Sequence, residues 1–137
     1  MTSVRAHRAI YVDSSAIVKL VVEEPESAFL RRYLRGRGPL IVSALARVEV
    51  SRALLALGRS VQRRGEEVLT RFELIRVNDR IIRAAGMMLP PGLRSLDALH
   101  LATARELGAD LDRLVTFDVR MISAAVTLGL PLARLPG

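Results

Sequence analysis

The chain has no cysteine and no tryptophan among its 137 residues. Without thiols there is no disulfide scaffold, no thiolate zinc site and no cysteine nucleophile. That leaves the redox compartment open, with a reducing cytosol as the natural expectation. Aromatics are also sparse: Tyr11, Phe29, Tyr33, Phe72 and Phe117 are all there are. Five rings are few for a protein that works mainly by stacking on bases. Lysine is nearly missing too, since Lys19 stands alone beside twenty arginines. The longest uncharged stretch, Met121 to Ala133, runs for thirteen residues and is broken by Pro131. A membrane span needs about 20. Val4 to Arg8 leads straight into a short mixed stretch, so no signal peptide is expected. These absences set the expectation of a soluble, cytoplasmic protein.

What is present is ordinary for a globular chain: half the residues are apolar and 26% are charged. The length predicts one domain, residues 1–137, with no linker or internal repeat. The net charge is +7 and the pI about 11.3. Arginine pairs with phosphate through a planar two-donor fork, so an anionic partner fits this balance. A solvated basic surface, in a chain enriched in arginine by a GC-rich genome, fits it equally.

Apolar runs and breakers alternate strands with helices. Arg8 to Val12, Leu40 to Ser43, Glu73 to Val77 and Leu114 to Phe117 read as strands. Helices are expected over Ser14 to Val22 (capped by Ser14 or Ser15), Pro25 to Leu34, Ala44 to Leu57 and Ser60 to Arg71. Three more follow: one from an Asn78 or Asp79 cap to Met88, one capped by Ser95 and ending at Gly108, and one over Asp118 to Leu128. A short extended tail is expected near Pro131 to Leu135. The alternation implies an α/β domain with a mainly parallel sheet of about four to five strands and helices on both faces, a three-layer arrangement. In such sheets ligands bind beyond the carboxyl ends of the strands.

Four acids stand out against this layout. Asp13 follows the first strand and Asp118 the fourth, where each could serve as a helix N-cap. Glu49 falls on the side of its helix shared by Leu45, Val48, Ala53 and Ala56, opposite Arg47 and Ser51. A carboxylate there needs a partner, either Arg52 one turn on or a metal ion. Asp97 lies in the first turn of a helix that is apolar nearly all round, on a stripe with Leu101 and Ala104. Compensation of the helix dipole explains an acid in that turn but not its inward face. Four carboxylates converging would repel one another, and a hard divalent cation such as Mg²⁺ or Mn²⁺ resolves the conflict with all-oxygen ligands. The other ten acids then face 21 bases, a surface of about +11 around an acidic pocket. That suits hydrolysis of a polyanion.

The segments Asp13-Ser-Ser-Ala-Ile, Glu49-Val-Ser-Arg-Ala, Asp97-Ala-Leu-His-Leu-Ala-Thr-Ala and Thr116-Phe-Asp118 resemble, in order and spacing, those of the PIN-domain ribonucleases, specifically the VapC toxins of toxin–antitoxin pairs. The resemblance spans nearly the whole chain and implies a PIN-like fold. By it, Asp13, Glu49, Asp97 and Asp118 would be the metal-binding and catalytic acids. Ser14 and Thr116 would orient carboxylates or waters from behind. It further implies Mg²⁺- or Mn²⁺-dependent cleavage of RNA such as tRNA or rRNA, a homodimer and a VapB-type antitoxin.

Other residues have weaker grounds. Arg94, just ahead of Asp97, is a candidate for touching RNA phosphate. Arg59, Arg63, Arg64 and Arg71 could form a basic ridge or simply be solvated. His100 reads as a packed histidine with one satisfied nitrogen, and His7 is given no role. Met87 and Met88 read as core filling. Ala53 to Leu57 and Val68 to Ile75 could be interface or core. Two rival functions remain: phosphoryl transfer through Asp13 or Asp118 as nucleophile, disfavoured because the only lysine is Lys19, and a non-catalytic RNA- or partner-binding module on the same fold. Neutralising Asp13 is expected to abolish cleavage and, by relieving repulsion, to raise the melting temperature without metal.

Overall fold

Residues Ala9–Val12 (AIYV) carry no charge and are buried along their whole length, which marks this strand, β1, as an interior one. The structure, a computed structural model, describes residues 8–136; His7 lies outside them. β1 pairs in parallel with β2 (Leu40–Ser43) on one side and β4 (Leu111–Val115) on the other. β3 (Glu73–Ile75) pairs in parallel with β2, so the sheet order is β3-β2-β1-β4. The expected tail adds one parallel bridge outside β4, between Leu114 and Leu132. Its backbone bonds are Leu114 N–H to Pro131 O at 2.7 Å and Ala133 N–H to Leu114 O at 2.9 Å.

Among the described residues seven α-helices flank the strands: α1 Ser14–Val21, α2 Ser27–Leu34, α3 Ala46–Leu54, α4 Arg59–Leu69, α5 Asp79–Gly86, α6 Ser95–Glu106 and α7 Val119–Leu128. Single 3₁₀ turns lie at Leu55–Leu57 and Gly108–Asp110. α1 packs on α2, α3 and α4, while α6 packs on β2, β4, α5 and α7. The domain is therefore α/β, with a parallel sheet among helices, as expected. Its core is continuous from Ile10 and Val12 through Leu30, Leu54, Leu101 and Leu114. Truncating any of these to alanine is worth about 2–5 kcal/mol of stability.

Several boundaries differ from the sequence reading, each for a local reason. α1 is capped by Asp13, whose side chain accepts the Ala16 N–H, and not by Ser14 or Ser15. α2 begins at Ser27 because the buried Ser27 hydroxyl ties up the preceding turn. It accepts the Glu24 N–H at 2.9 Å and donates to Val22 O at 3.3 Å. α6 has Arg94 at its cap position with no side-chain bond, and Ser95 is its first helical residue. β4 runs three residues earlier than expected at its start and ends at Val115.

The face of α3 is the largest correction. It buries Ala46, Val50 and Leu54, whereas Val48 is 59% exposed. α4 explains the choice. A Cβ on Gly65 would lie 2.7 Å from Leu54 Cδ1 and 3.3 Å from Val50 Cγ1. A glycine inside a helix costs about 1 kcal/mol relative to alanine. Here it lets α4 approach the Ala46–Val50–Leu54 face closely.

Candidate active site

Parallel pairing aligns Val12 with Val115, and the Asp13 N–H donates to Val115 O at 3.0 Å. The next residues along the two strands, Asp13 and Thr116, therefore meet at the carboxyl edge of the sheet. Thr116 Oγ1 donates to Asp13 Oδ2 at 2.5 Å. Asp13 Oδ1 accepts from Ser15 Oγ at 2.8 Å and from the Ala16 N–H at 3.0 Å. Asp13 is 2% exposed. Burial pushes its carboxyl above the ordinary 3.8, against the hydrogen bonds from Thr116, Ala16 and Ser15. Thr116 Oγ1 also accepts the Asp118 N–H at 3.1 Å, which brings the third residue beyond β4 back toward the edge. Asp118 caps α7, with Oδ1 accepting from the Arg120 N–H at 2.8 Å and the Met121 N–H at 3.4 Å. The capping role open to both aspartates is real, and each retains carboxylate lone pairs beyond it.

Glu49 does not pair with Arg52. Its Oε1 accepts from Ser14 Oγ at 2.6 Å and from His100 Nε2 at 2.6 Å, and its side chain is 22% exposed. Burial raises its carboxyl, but the hydrogen bond and electrostatics of His100, with the Ser14 bond, leave it below the ordinary 4.5. Ser14 and Thr116 thus each hold a different acid, Glu49 and Asp13. His100 was expected to satisfy one nitrogen. It satisfies both, with Nδ1 2.7 Å from the Tyr11 hydroxyl. Tyr11 and Asp13 are two residues apart on one strand and share a face. That spacing, with His100 three residues after Asp97, was the available signal for this network.

Asp97 projects from the first turn of α6, its side chain 14% exposed. Its Oδ2 is buried with no hydrogen-bond partner; Arg94 Nε, on a largely exposed side chain, stops 3.7 Å away. Burial raises its carboxyl above the ordinary 3.8; so do the charges of Asp118 and Glu49, while Arg94 and His100 act the other way. Asp97 therefore feels the charges of Asp118 and Glu49 across the strand ends. Among the described residues, however, no three His, Asp or Glu side chains are drawn into a single coordination shell. A hard divalent cation still fits the donor set. The ligands are all oxygen, and a buried carboxylate oxygen without a donor is a group that a cation satisfies.

The remaining candidates separate clearly. An aspartyl nucleophile does not suit Asp13, whose two oxygens are both held by donors. Lys19 is committed to Glu24 at 2.7 Å and Glu26 at 2.9 Å. Arg64 donates to Val21 O, while Arg59, Arg63 and Arg71 are exposed. Leu55 and Leu57 are exposed, whereas Val68, Leu69 and Phe72 are core. Met88 is buried as expected, but Met87 is 82% exposed. A groove of about 1000 Å³ between α3 and α4, lined by Arg47, Val48, Arg52, Glu66 and Leu69, contains none of Asp13, Glu49, Asp97 and Asp118.

A parallel sheet with acids gathered beyond β1 and β4 is the frame of a PIN domain, and the PIN domain family model matches residues 10–126. The chain belongs to the VapC ribonuclease toxins within that family. It is 59% identical over 122 residues to Ribonuclease VapC46 of Mycobacterium tuberculosis, covering 89% of this chain and 94% of that one. Two solved structures share the fold at lower identity. M. tuberculosis VapC20, a sarcin-ricin loop cleaving toxin, aligns with a TM-score of 0.74 at 18% identity, covering 91% of this chain and 98% of that one. VapBC2 from Rickettsia felis, bound to a DNA fragment of its promoter, aligns at 0.67 and 14% identity, covering 93% and 99%.

Proposed function

We propose that this ribonuclease hydrolyses RNA phosphodiester bonds endonucleolytically with a divalent cation, Mg²⁺ or Mn²⁺, held by Asp13, Glu49, Asp97 and Asp118. The observation that carries this reading is the buried, unpartnered Asp97 Oδ2, which feels the negative charges of Asp118 and Glu49. A bound cation would lower the pKa of a coordinated water and screen the charge of the scissile phosphate. The chain's own residues prepare that chemistry. Thr116 and Ser15 fix Asp13, and Ser14 and His100 fix Glu49, so the acids need little reorganisation. Arg94, exposed and 3.7 Å from Asp97, is placed to meet an RNA phosphate beside the acids.

The substrate in this reading is a structured RNA, a tRNA or rRNA; the cleavage of the sarcin-ricin loop by VapC20 supports the class. A VapB-type antitoxin is the proposed partner, supported by the solving of the R. felis neighbour as a VapBC pair. A homodimer is supported by Val119, Ile122 and Val126, which form an exposed apolar stripe at helical spacing on α7. Among the described residues no helix is long and apolar enough to cross a membrane, and the proposed site of action is the cytoplasm.

The test is incubation of total bacterial RNA with the purified protein in Mg²⁺, in Mn²⁺ and in chelator. Discrete fragments that require metal are expected. Fragments that persist unchanged in chelator would refute the cation; no fragments under any condition would favour a non-catalytic binding module.

A further inference from the structure

His100 is buried, one helical turn from Asp97 on α6. A carboxylate only accepts, so the proton in its 2.6 Å contact with Glu49 Oε1 resides on Nε2. In the neutral ring Nδ1 then accepts the Tyr11 O–H at 2.7 Å, and the Tyr11 oxygen accepts the Ser43 N–H at 3.0 Å. An unbroken line of hydrogen bonds thus runs from the backbone of β2 to Glu49. Ser14 donates to the same Oε1. Two donors on one oxygen leave Oε2 as the oxygen available to a ligand.

We propose that His100 is a positioning residue for the cation site: its Nε2–H fixes Glu49 with one oxygen held and the other presented, and Tyr11 and Ser43 fix the imidazole in turn. This rests on the reading of the four acids as a divalent-cation site. A histidine present only to fill space would be replaceable by an apolar residue of similar volume. A positioning histidine is replaceable only by a side chain that keeps a donor at the Nε2 position.

The experiment measures Mn²⁺ binding to the metal-free protein by electron paramagnetic resonance of the free ion, with melting in chelator as the check on folding. His100→Leu keeps the volume and removes the donor; His100→Gln keeps an N–H at about the same reach. His100→Leu is expected to weaken Mn²⁺ binding about 10–100-fold, the range for residues that support metal ligands, and His100→Gln to recover most of it. Wild-type affinity in His100→Leu would overturn the proposal. So would equal loss in both variants while both melt like the wild type. Should His100→Leu fail to fold, Tyr11→Phe carries the test, since it keeps the imidazole but removes the hydroxyl that orients it. An intermediate loss is expected there, and unchanged affinity contradicts the proposal. If the wild type binds no Mn²⁺, the cation-site reading itself falls and this inference with it. Binding by the wild type that is insensitive to His100 defeats this inference alone.

Discussion

Asp97→Asn separates the needs of the fold from the needs of the site. Asp97 Oδ2 is buried without a donor and feels Asp118 and Glu49. An unsatisfied buried group of this kind destabilises by about 1–3 kcal/mol. Arg94 returns less than ~1 kcal/mol of that, because its own side chain is 63% exposed and the gap is 3.7 Å. Asparagine keeps the shape, and keeps an unpartnered polar atom, but removes the charge that faces Asp118 and Glu49, so a net gain of up to about 1 kcal/mol is expected. For a domain of this size that is roughly 3–5 °C in Tm. The gain has a pH signature. Asp97 ionises less readily in the folded chain than in the unfolded one, so the protonated acid is harmless below the ordinary 3.8. The destabilisation grows as pH rises through the elevated folded value. The advantage of Asp97→Asn should therefore be full at neutral pH and vanish below about the ordinary aspartate value. Excess Mn²⁺ should reverse the order, since only the wild type then gains the full stabilisation by ligand binding. The assay is thermal unfolding of both proteins in chelator and in Mn²⁺ across pH. A lower Tm for Asp97→Asn in chelator, or equal Mn²⁺ shifts in both proteins, would refute the reasoning.

Asp13→Asn should behave oppositely in chelator. Both Asp13 oxygens accept hydrogen bonds, and an amide NH₂ in place of either one confronts a donor. A loss of about 1–3 kcal/mol is expected by chemical denaturation, replacing the gain that carboxylate repulsion alone would suggest. Glu49→Gln retains an acceptor for Ser14 and His100, so it should melt near the wild type yet bind Mn²⁺ more weakly by calorimetry; Arg52→Ala, on the exposed side of α3, should change neither. Gly65→Ala should destabilise despite better helix propensity. The new methyl meets the buried Leu54 at 2.7 Å, and overpacking of about 1–3 kcal/mol exceeds a propensity gain of about 1 kcal/mol. Denaturant midpoints decide the sign.

The strand–helix alternation was legible because β1 and β2 are apolar runs, and Asp13 was legible at a strand end because β1 is followed at once by Asp13, Ser14 and Ser15, whereas Asp118 lies three residues beyond β4 and not directly after it. β4 was misplaced because its residues Asp112 and Arg113 interrupt the apolar run, which an edge strand tolerates and a buried one does not. The register of α3 was not legible for a different reason. Leu45, Val48, Ala53 and Ala56 offer an apolar side as convincing as Ala46, Val50 and Leu54. Periodicity cannot weigh one apolar side against another when the decision rests on close approach to Gly65, a contact distant in sequence. What holds Glu49 is Ser14 and His100 and not a core of leucines. His100 was undervalued because its partners, Tyr11 and Glu49, lie 89 and 51 residues away. Nothing local in α6 announces either bond.

Anomalous diffraction from crystals of the wild-type protein soaked in Mn²⁺ tests the central claim most directly. The account predicts an anomalous peak among Asp13, Glu49, Asp97 and Asp118, within bonding reach of Asp97 and absent from Asp97→Asn crystals treated identically. Full soaking with no peak at these acids, or a peak that persists in Asp97→Asn, would contradict it.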